Sequence, residues 1–224
     1  NNTMIFDLLT GNYPVATAVM VFITFSLAYL LAIGMHEFSH AFVAVKQGDD
    51  TPRLQGRLTV NPFAHIDLAG LICFLIAGFG WAKPVEVNPL KFKKYRSGIA
   101  KVSLAGVTMN LILAFIFSAL YCVSLKCDPT LIISQYFNHF AYYGMVINAW
   151  LIFFNLIPIY PLDGFNWLST KLKPNSKYVD FNYKYGYWLL LLLVASTLAV
   201  RYVSFCADWL LYPFIKLFSW MFGV

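Results

Sequence analysis

Charged residues are scarce in this chain: of its 224 residues, 12% are charged and 60% are hydrophobic. A typical soluble domain carries roughly 25% charged residues, so the chain has too little polar surface to cover a globule in water. Basic residues outnumber acidic ones, with 16 Lys and Arg against 10 Asp and Glu, and the basic residues lie between apolar runs. That placement favours loops at an anionic membrane surface over a nucleic-acid partner. The composition therefore predicts a polytopic membrane protein whose partners include the lipid bilayer and no nucleic acid.

Cysteine is also sparse, and none of the four cysteines forms a Cys-x-x-Cys pair. This spacing excludes the usual thiolate sites for zinc. Cys122 and Cys127 could meet near one end of a helix, although all four cysteines lie in or beside apolar segments. We therefore expect free thiols.

Apolar segments long enough to cross the hydrocarbon core need about 20 residues. The candidates are residues 15–45, 99–125, 131–170 and 185–205. Pro158 and Pro161 are expected to break a helix in the last part of the third segment. The final segment, 209–222, is short and aromatic, which favours a position at the membrane interface.

The shorter apolar run 66–81 has basic loops on both of its sides. Because the positive-inside rule favours basic loops on one side of the membrane, we expect this run to dip in and return, or to form an incomplete span. Residues 46–60, 83–101 and 171–184 then all face the cytoplasm and hold thirteen of the basic residues. The same topology places residues 126–130 and the amino terminus outside.

The predicted fold is thus an all-α polytopic membrane protein, a bundle of about 4–6 transmembrane helices with a re-entrant strand-like element. No internal repeat or linker divides the chain. We predict a single integral-membrane domain over residues 1–224, with a core over 15–170 and carboxy-terminal helices over 185–222.

Two acidic residues, Glu37 and Asp163, lie well inside long apolar stretches. An ionisable residue at that depth costs at least ~2.5 kcal/mol on insertion scales and marks a functional site by default. Glu37 stands between His36 and His40 in an H-E-x-x-H motif. The i, i+4 spacing puts both imidazoles on one face of a helix, where they suit one Zn²⁺, with Glu37 as the base that deprotonates water. The alternative is a chance match, with both histidines hydrogen-bonded to neighbouring helices.

A catalytic zinc usually has three protein ligands, so the motif needs a third from elsewhere. The candidates are His65, Asp67, His139 and Asp163. At 1.5 Å per helical residue, His36 lies ~15 Å and Asp163 ~12 Å below the same predicted membrane edge. His139 belongs near the opposite end of its segment, and His65 and Asp67 are better placed to organise a turn. Depth therefore favours Asp163, which could also serve as a helix N-cap after Pro161.

Asn155, two turns before Asp163, is a further polar residue in an apolar segment. Its amide could form an interhelical hydrogen bond. It could also donate to the substrate backbone or to an oxyanion. Both interpretations stay open from the sequence.

The stretch His36-Glu37-Phe38-Ser39-His40, taken with "NLIPIYPLDG" at 155–164, resembles the two signature motifs of site-2 proteases, which are intramembrane zinc metalloproteases. The stretches "GRLTVNPFAHIDLAG", "GWAKPVEVNP" and "SLAGVTMN" are similar to a compact bacterial or archaeal branch without a PDZ domain. The similarity covers roughly residues 30–170.

The resemblance implies one zinc ion held by His36, His40 and Asp163, with Glu37 as general base. It also implies that Asn155 positions the substrate or the oxyanion, and that "GWAKPVEVNP" is a strand-like element near the active site. The chain departs from the family at Val107, where proline is common, and at Phe165-Asn166, where a small residue and arginine are frequent.

The leading functional hypothesis is an intramembrane endopeptidase in the cell membrane, with its active site in the cytoplasmic half. Its partner would be the transmembrane helix of a substrate protein. A metal or ion transporter using the same cluster as a transit site is one alternative. An inert relative that only binds transmembrane partners is another.

Overall fold

The computed structural model describes residues 14–77, 80–173 and 176–224. In this part the chain forms helices and turns without a strand, together with one isolated antiparallel bridge between Ile66 and Ala82. The helices are α1 (Val15–Gln47), α2 (Thr51–Leu54), α3 (Leu68–Ala77), α4 (Tyr95–Ser124), α5 (Ile132–Asn155), α6 (Asp163–Ser169), α7 (Lys177–Ala195) and α8 (Thr197–Phe222). Short 3₁₀ turns lie at Pro62–His65 and Pro89–Lys91.

The helices α1, α4 and α8 are each long and apolar enough to cross a membrane, with 33, 30 and 26 residues. The prediction of an all-α membrane protein is confirmed by these helices. The predicted number of spans and their sidedness stay predictions, and the amino-terminal residues 1–13 lie outside the described part of the chain.

The centre of the bundle is formed by α1, α4 and α5, with α8 packed against α4 and α5. Small residues allow this close approach, since Ala28, Ala32, Ala114 and Ala149 are fully buried. Small side chains are the usual means by which membrane helices pack closely. The four cysteines are free thiols, as predicted.

The predicted break in segment 131–170 is confirmed. Helix α5 ends at Asn155, residues 156–162 form turns, and α6 begins at Asp163. Pro158 and Pro161 lie in this turn region, where neither ring can continue an α-helix. The break turns the chain so that Asp163 begins a new helix.

The carboxy-terminal prediction is wrong in its boundaries. Residues 185–205 do not form one helix, because Ser196 adopts an extended conformation (φ −87°, ψ 147°) between α7 and α8. Its hydroxyl donates to the carbonyl of Leu193 at 2.7 Å, and a local bond of this kind competes with helix continuation. The segment 209–222 is likewise not a separate interfacial piece but the second half of α8, since Asp208 lies on the exposed face of that helix and does not end it.

Within the run 66–81, whose residues 78–79 lie outside the described part of the chain, Leu68–Ala77 form the ten-residue helix α3, which at about 1.5 Å per residue is too short to span a bilayer. Its flanks meet, because Ile66 pairs with Ala82 and the N–H of Lys83 donates to the carbonyl of His65 at 2.8 Å. A glycine at position 70 is needed here, since a Cβ would collide with the backbone of Trp81. The entry and return of this segment through one face of the membrane stay a prediction.

Candidate metal centre

Two histidines of α1 and the first residue of α6 converge in the bundle. His36 Nε2 lies 3.2 Å and His40 Nε2 3.3 Å from Asp163 Oδ2, and the two Nε2 atoms are 2.9 Å apart. Among the described residues this is the one group of three or more His, Cys, Asp or Glu side chains that could hold a metal ion. His36 and His40 are buried, and Asp163 is mostly buried.

The outer nitrogens of both imidazoles have partners that fix which nitrogen faces Asp163. His36 Nδ1 lies 2.5 Å from Asn110 Oδ1, and His40 Nδ1 lies 2.7 Å from the backbone carbonyl of Val102. Both partners are acceptors, so each Nδ1 donates a proton and each Nε2 presents a lone pair to the cluster.

A metal ion fits this donor set. Asp163 Oδ2 is buried without a hydrogen-bond partner. A buried carboxylate oxygen without a partner destabilises the folded protein, because it has lost its contacts with water. Three electron-pair donors therefore meet at one point, where a proton could bridge only two of them and a metal ion could satisfy all three. Two imidazole nitrogens and one carboxylate oxygen form a catalytic-type zinc set, which keeps a position open for water or substrate.

Sequence reasoning missed the residues that hold His36. Asn110 of α4 and Asn148 of α5 are fully buried, and Asn110 Nδ2 donates to Asn148 Oδ1 at 2.7 Å. Asn148 Nδ2 in turn donates to the carbonyl of Gly144 at 2.7 Å. This amide relay fixes the Asn110 oxygen toward His36 Nδ1. The available signal was an asparagine inside each apolar run, but nothing local indicated that the two would meet.

Asn110→Ala is expected to weaken zinc binding by ~10–100-fold, because outer-shell partners that orient a ligating histidine contribute on that scale. The measurement is competition with a chromophoric chelator on purified protein. Asn110→Asp keeps an oxygen acceptor for His36 Nδ1 and should restore most of the affinity. Asn138→Ala is the matched control, since its amide donates to Ser124 Oγ at 2.9 Å, away from the cluster. Unchanged zinc affinity in Asn110→Ala would contradict the role assigned to the relay.

Glu37 projects from the same helix as the two histidines and is half-buried. Its Oε2 accepts the backbone N–H of Val85 at 3.0 Å. Val85 lies in the segment 82–88 that follows α3. The predicted strand-like element is not formed there, since this segment has one isolated bridge at Ala82 and no strand. The hydrogen bond of Val85 nevertheless places "GWAKPVEVNP" against the motif helix. The resemblance led us to expect this segment near the active site.

A second carboxylate, Asp49, fixes this segment to the end of α1. Asp49 is fully buried, and it accepts the N–H of Asn88 at 2.6 Å and the N–H and hydroxyl of Thr51 at 3.0 and 2.5 Å. Although burial opposes ionisation, these hydrogen bonds hold the pKa of Asp49 below its usual value. Asp49 therefore contributes stability above its unfolded-state pKa and loses that contribution as the pH falls through its folded-state pKa.

The other candidate residues lie elsewhere. His65 is buried with Nε2 3.0 Å from the carbonyl of Thr59, and Asp67 Oδ1 accepts the N–H of Gly70 at 2.9 Å, so both organise the turn before α3. His139 stacks on Tyr143. The Asn155 side chain donates to the carbonyl of Leu151 in its own helix at 3.0 Å.

The two departures from the family pattern have structural explanations. Helix α4 continues without interruption through Val107, which is buried in the main apolar cluster, so a proline bend is absent there. Phe165 is fully buried and packs edge-on against the rings of Tyr160 and Tyr183. These contacts hold the start of α6, and therefore Asp163, in place.

The chain thus has the helical fold of a membrane protein and, in two histidines of an H-E-x-x-H motif and one aspartate, the donor set of a metalloprotein. Similarity to known proteins identifies the family more closely. The chain is 38% identical over 190 residues to YwhC of Bacillus subtilis (strain 168), named as a zinc metalloprotease, and the match covers 83% of this chain and 84% of YwhC. The chain therefore belongs to this family of zinc metalloproteases.

More distant relatives carry a similar name. The zinc metalloproteases named Rip2 of Mycolicibacterium smegmatis and Mycobacterium tuberculosis are each 32% identical, over 164 and 167 residues. The matches cover 71% and 70% of this chain but 61% and 60% of those relatives. No protein-family model and no solved structure matches the chain.

Proposed function

We propose that the chain is an intramembrane zinc endopeptidase of the site-2 protease type, which cleaves transmembrane segments of other membrane proteins. The observation that carries the proposal is the position of the cluster. His36 and His40 lie inside α1, a helix long enough to cross a membrane, and meet Asp163 there. Ionisable residues inside such a helix mark a functional site by default, and hydrolytic residues there suit a bond that also lies in the membrane.

His36 Nε2, His40 Nε2 and an oxygen of Asp163 would hold one zinc ion. The ion would supply a Lewis acid that polarises the scissile carbonyl and makes water a nucleophile near neutral pH. Asn110 and the Val102 carbonyl hold the two imidazoles in the tautomer that this binding requires. The fixed ligands thus need little rearrangement when a substrate enters.

Glu37 is the residue we assign to proton transfer. With Oε2 held by the N–H of Val85, Oε1 is the atom that takes a proton from the attacking water as the new C–O bond forms. Glu37 then gives that proton to the amide nitrogen as the C–N bond breaks. The products are a carboxylic acid and an amine, the acid proton then passes to the amine to give a carboxylate and an ammonium group, and the base is regenerated.

The substrate helix must first unwind, because its internal hydrogen bonds shield the scissile carbonyl. Helix-breaking residues near the cut should therefore help cleavage. The segment 82–88 lies beside Glu37 and would pair with the unwound part of the substrate. Asn155 would contribute a donor to the substrate only after releasing the carbonyl of Leu151. The basic loops support a site in the cytoplasmic half of the cell membrane.

Metal removal tests the proposal. Treatment with 1,10-phenanthroline is expected to abolish cleavage of a single-span test substrate in detergent or nanodiscs, since polarisation of the carbonyl is lost. One equivalent of Zn²⁺ per chain should restore the activity, and Mg²⁺ should not. Metal content is measured in parallel by elemental analysis. A chelated, metal-free protein that still cleaves at the original rate would refute the proposal.

A further inference from the structure

A basic cleft lies between the first turns of α4 and the end of α6, apart from the metal cluster. Its volume is about 320 Å³, and it is lined by Arg96, Lys101 and Lys171 with Ser97, Ala100, Leu104 and Thr170. The lining contains three cations and no carboxylate. Within the described residues, the ion pairs of the chain involve none of these three cations.

The chemistry of the cleft suits a phosphate group. A guanidinium presents donors in a fixed fork that matches phosphate oxygens, and ammonium groups add mobile point charges. Three cations around one cleft also repel one another, and an anion between them removes that repulsion. Hydroxyl groups of Ser97 and Thr170 line the same space.

The surroundings of the cleft favour a lipid over a soluble phosphate. Leu104 lines the cleft, and Leu111 and Phe115, which continue the same face of α4, are 40% and 41% exposed. The spacing of seven and then four residues keeps them on one helix face. Because α4 is a membrane-length helix, we expect the exposed part of this stripe to face hydrocarbon, with Phe115 also packed against the rings of Phe214 and Phe218 of α8. On α6, Lys171 Nζ lies over the ring of Trp167 at 5.9 Å, a combination suited to the membrane interface.

We propose that this cleft binds the phosphate of an anionic phospholipid, with an acyl chain along the stripe formed by Leu104, Leu111 and Phe115. The lipid would bridge α4 and the end of α6. Since α6 begins at Asp163, a bound lipid braces the helix that carries the third residue of the metal cluster. The proposal stands independently of the protease assignment, because it concerns lipid binding alone.

Native mass spectrometry of the full chain in detergent tests this, with phosphatidylglycerol and phosphatidylcholine of equal chain length supplied together. We expect the protein to retain phosphatidylglycerol preferentially. Each basic residue near an anionic surface contributes about fivefold in affinity. The triple variant R96Q/K101Q/K171Q should therefore lose at least about tenfold of the preference. Lys126→Gln, an exposed cation beyond the other end of α4, is the matched control and should retain the wild-type preference.

Several results would overturn the proposal. Equal retention of the two lipids would contradict the proposed lipid site. An unchanged preference for phosphatidylglycerol in the triple variant would contradict it as well. An equal loss in Lys126→Gln would assign the preference to general surface charge. Displacement of phosphatidylglycerol by millimolar inorganic phosphate would assign the cleft to a soluble phosphate. If the triple variant melts at a lower temperature than wild type, the single variants are compared, each with an expected loss of about fivefold.

Discussion

Glu37→Gln is expected to lower the cleavage rate by ~10²–10⁴-fold while the protein keeps one zinc per chain, because a general base contributes on that scale. The change removes the group that accepts the proton but keeps the shape of the side chain. The amide oxygen of glutamine can still accept the N–H of Val85, as Glu37 Oε2 does at 3.0 Å. His36, His40 and Asp163 are untouched, so the metal set stays complete. The measurement pairs single-turnover cleavage with metal analysis on the same preparation.

Glu86→Gln is the matched control for this variant. Glu86 lies next to Val85 in the same segment, but its Oε2 accepts from the side chain of Gln55 at 2.7 Å on the exposed surface. Loss of that negative charge should leave cleavage within about twofold of wild type, since exposed polar contacts contribute little. If zinc-loaded Glu37→Gln cleaves the substrate at the wild-type rate, Glu37 is not the general base.

Asp163→Ala is expected to abolish both zinc binding and cleavage. Loss of an outer-shell partner already weakens metal affinity by ~10–100-fold, so loss of a direct ligand should exceed ~100-fold. In this variant only the two histidines, one helical turn apart, would remain as zinc ligands. The side of the site that faces α6 would then have no protein ligand. Zinc affinity by chelator competition and cleavage of the test substrate are measured together.

Asp67→Ala is the comparison that separates a ligand from a structural carboxylate. The Asp67 side chain accepts the N–H of Gly70 at the start of α3, so its loss should affect the stability of that turn but not the zinc content. Zinc retained by Asp163→Ala and lost in Asp67→Ala would contradict the assignment and move the third ligand to the turn that also holds His65.

The parts of the fold and site that could be predicted from sequence are those with a local cause. The i, i+4 spacing of His36 and His40 fixes their common face on any helix. The choice of Asp163 followed from depth, because His36 and Asp163 precede basic residues expected at one membrane edge by similar numbers of residues. The structure brings these three side chains together.

The parts that escaped prediction depend on contacts between distant segments or on a single residue. The hydrogen bonds of Asn110 to Asn148 and to His36 join three helices and leave no periodic signal in any one of them. Ser196 divides two helices through its own hydroxyl, within an apolar run that hydropathy treats as continuous. The contact of Glu37 with Val85 uses a backbone N–H, and a pattern of side chains in the sequence does not indicate which backbone groups a residue will meet.

The position of the cut tests the central claim most directly. Purified wild-type protein, loaded with zinc and placed in nanodiscs, is incubated with a single-span substrate carrying a Gly/Pro-softened helix, and both fragments are measured by mass spectrometry. We predict one cut inside the apolar segment, absent in Glu37→Gln. Cleavage confined to the water-exposed flanks of the substrate would contradict an intramembrane site, even if it depended on zinc.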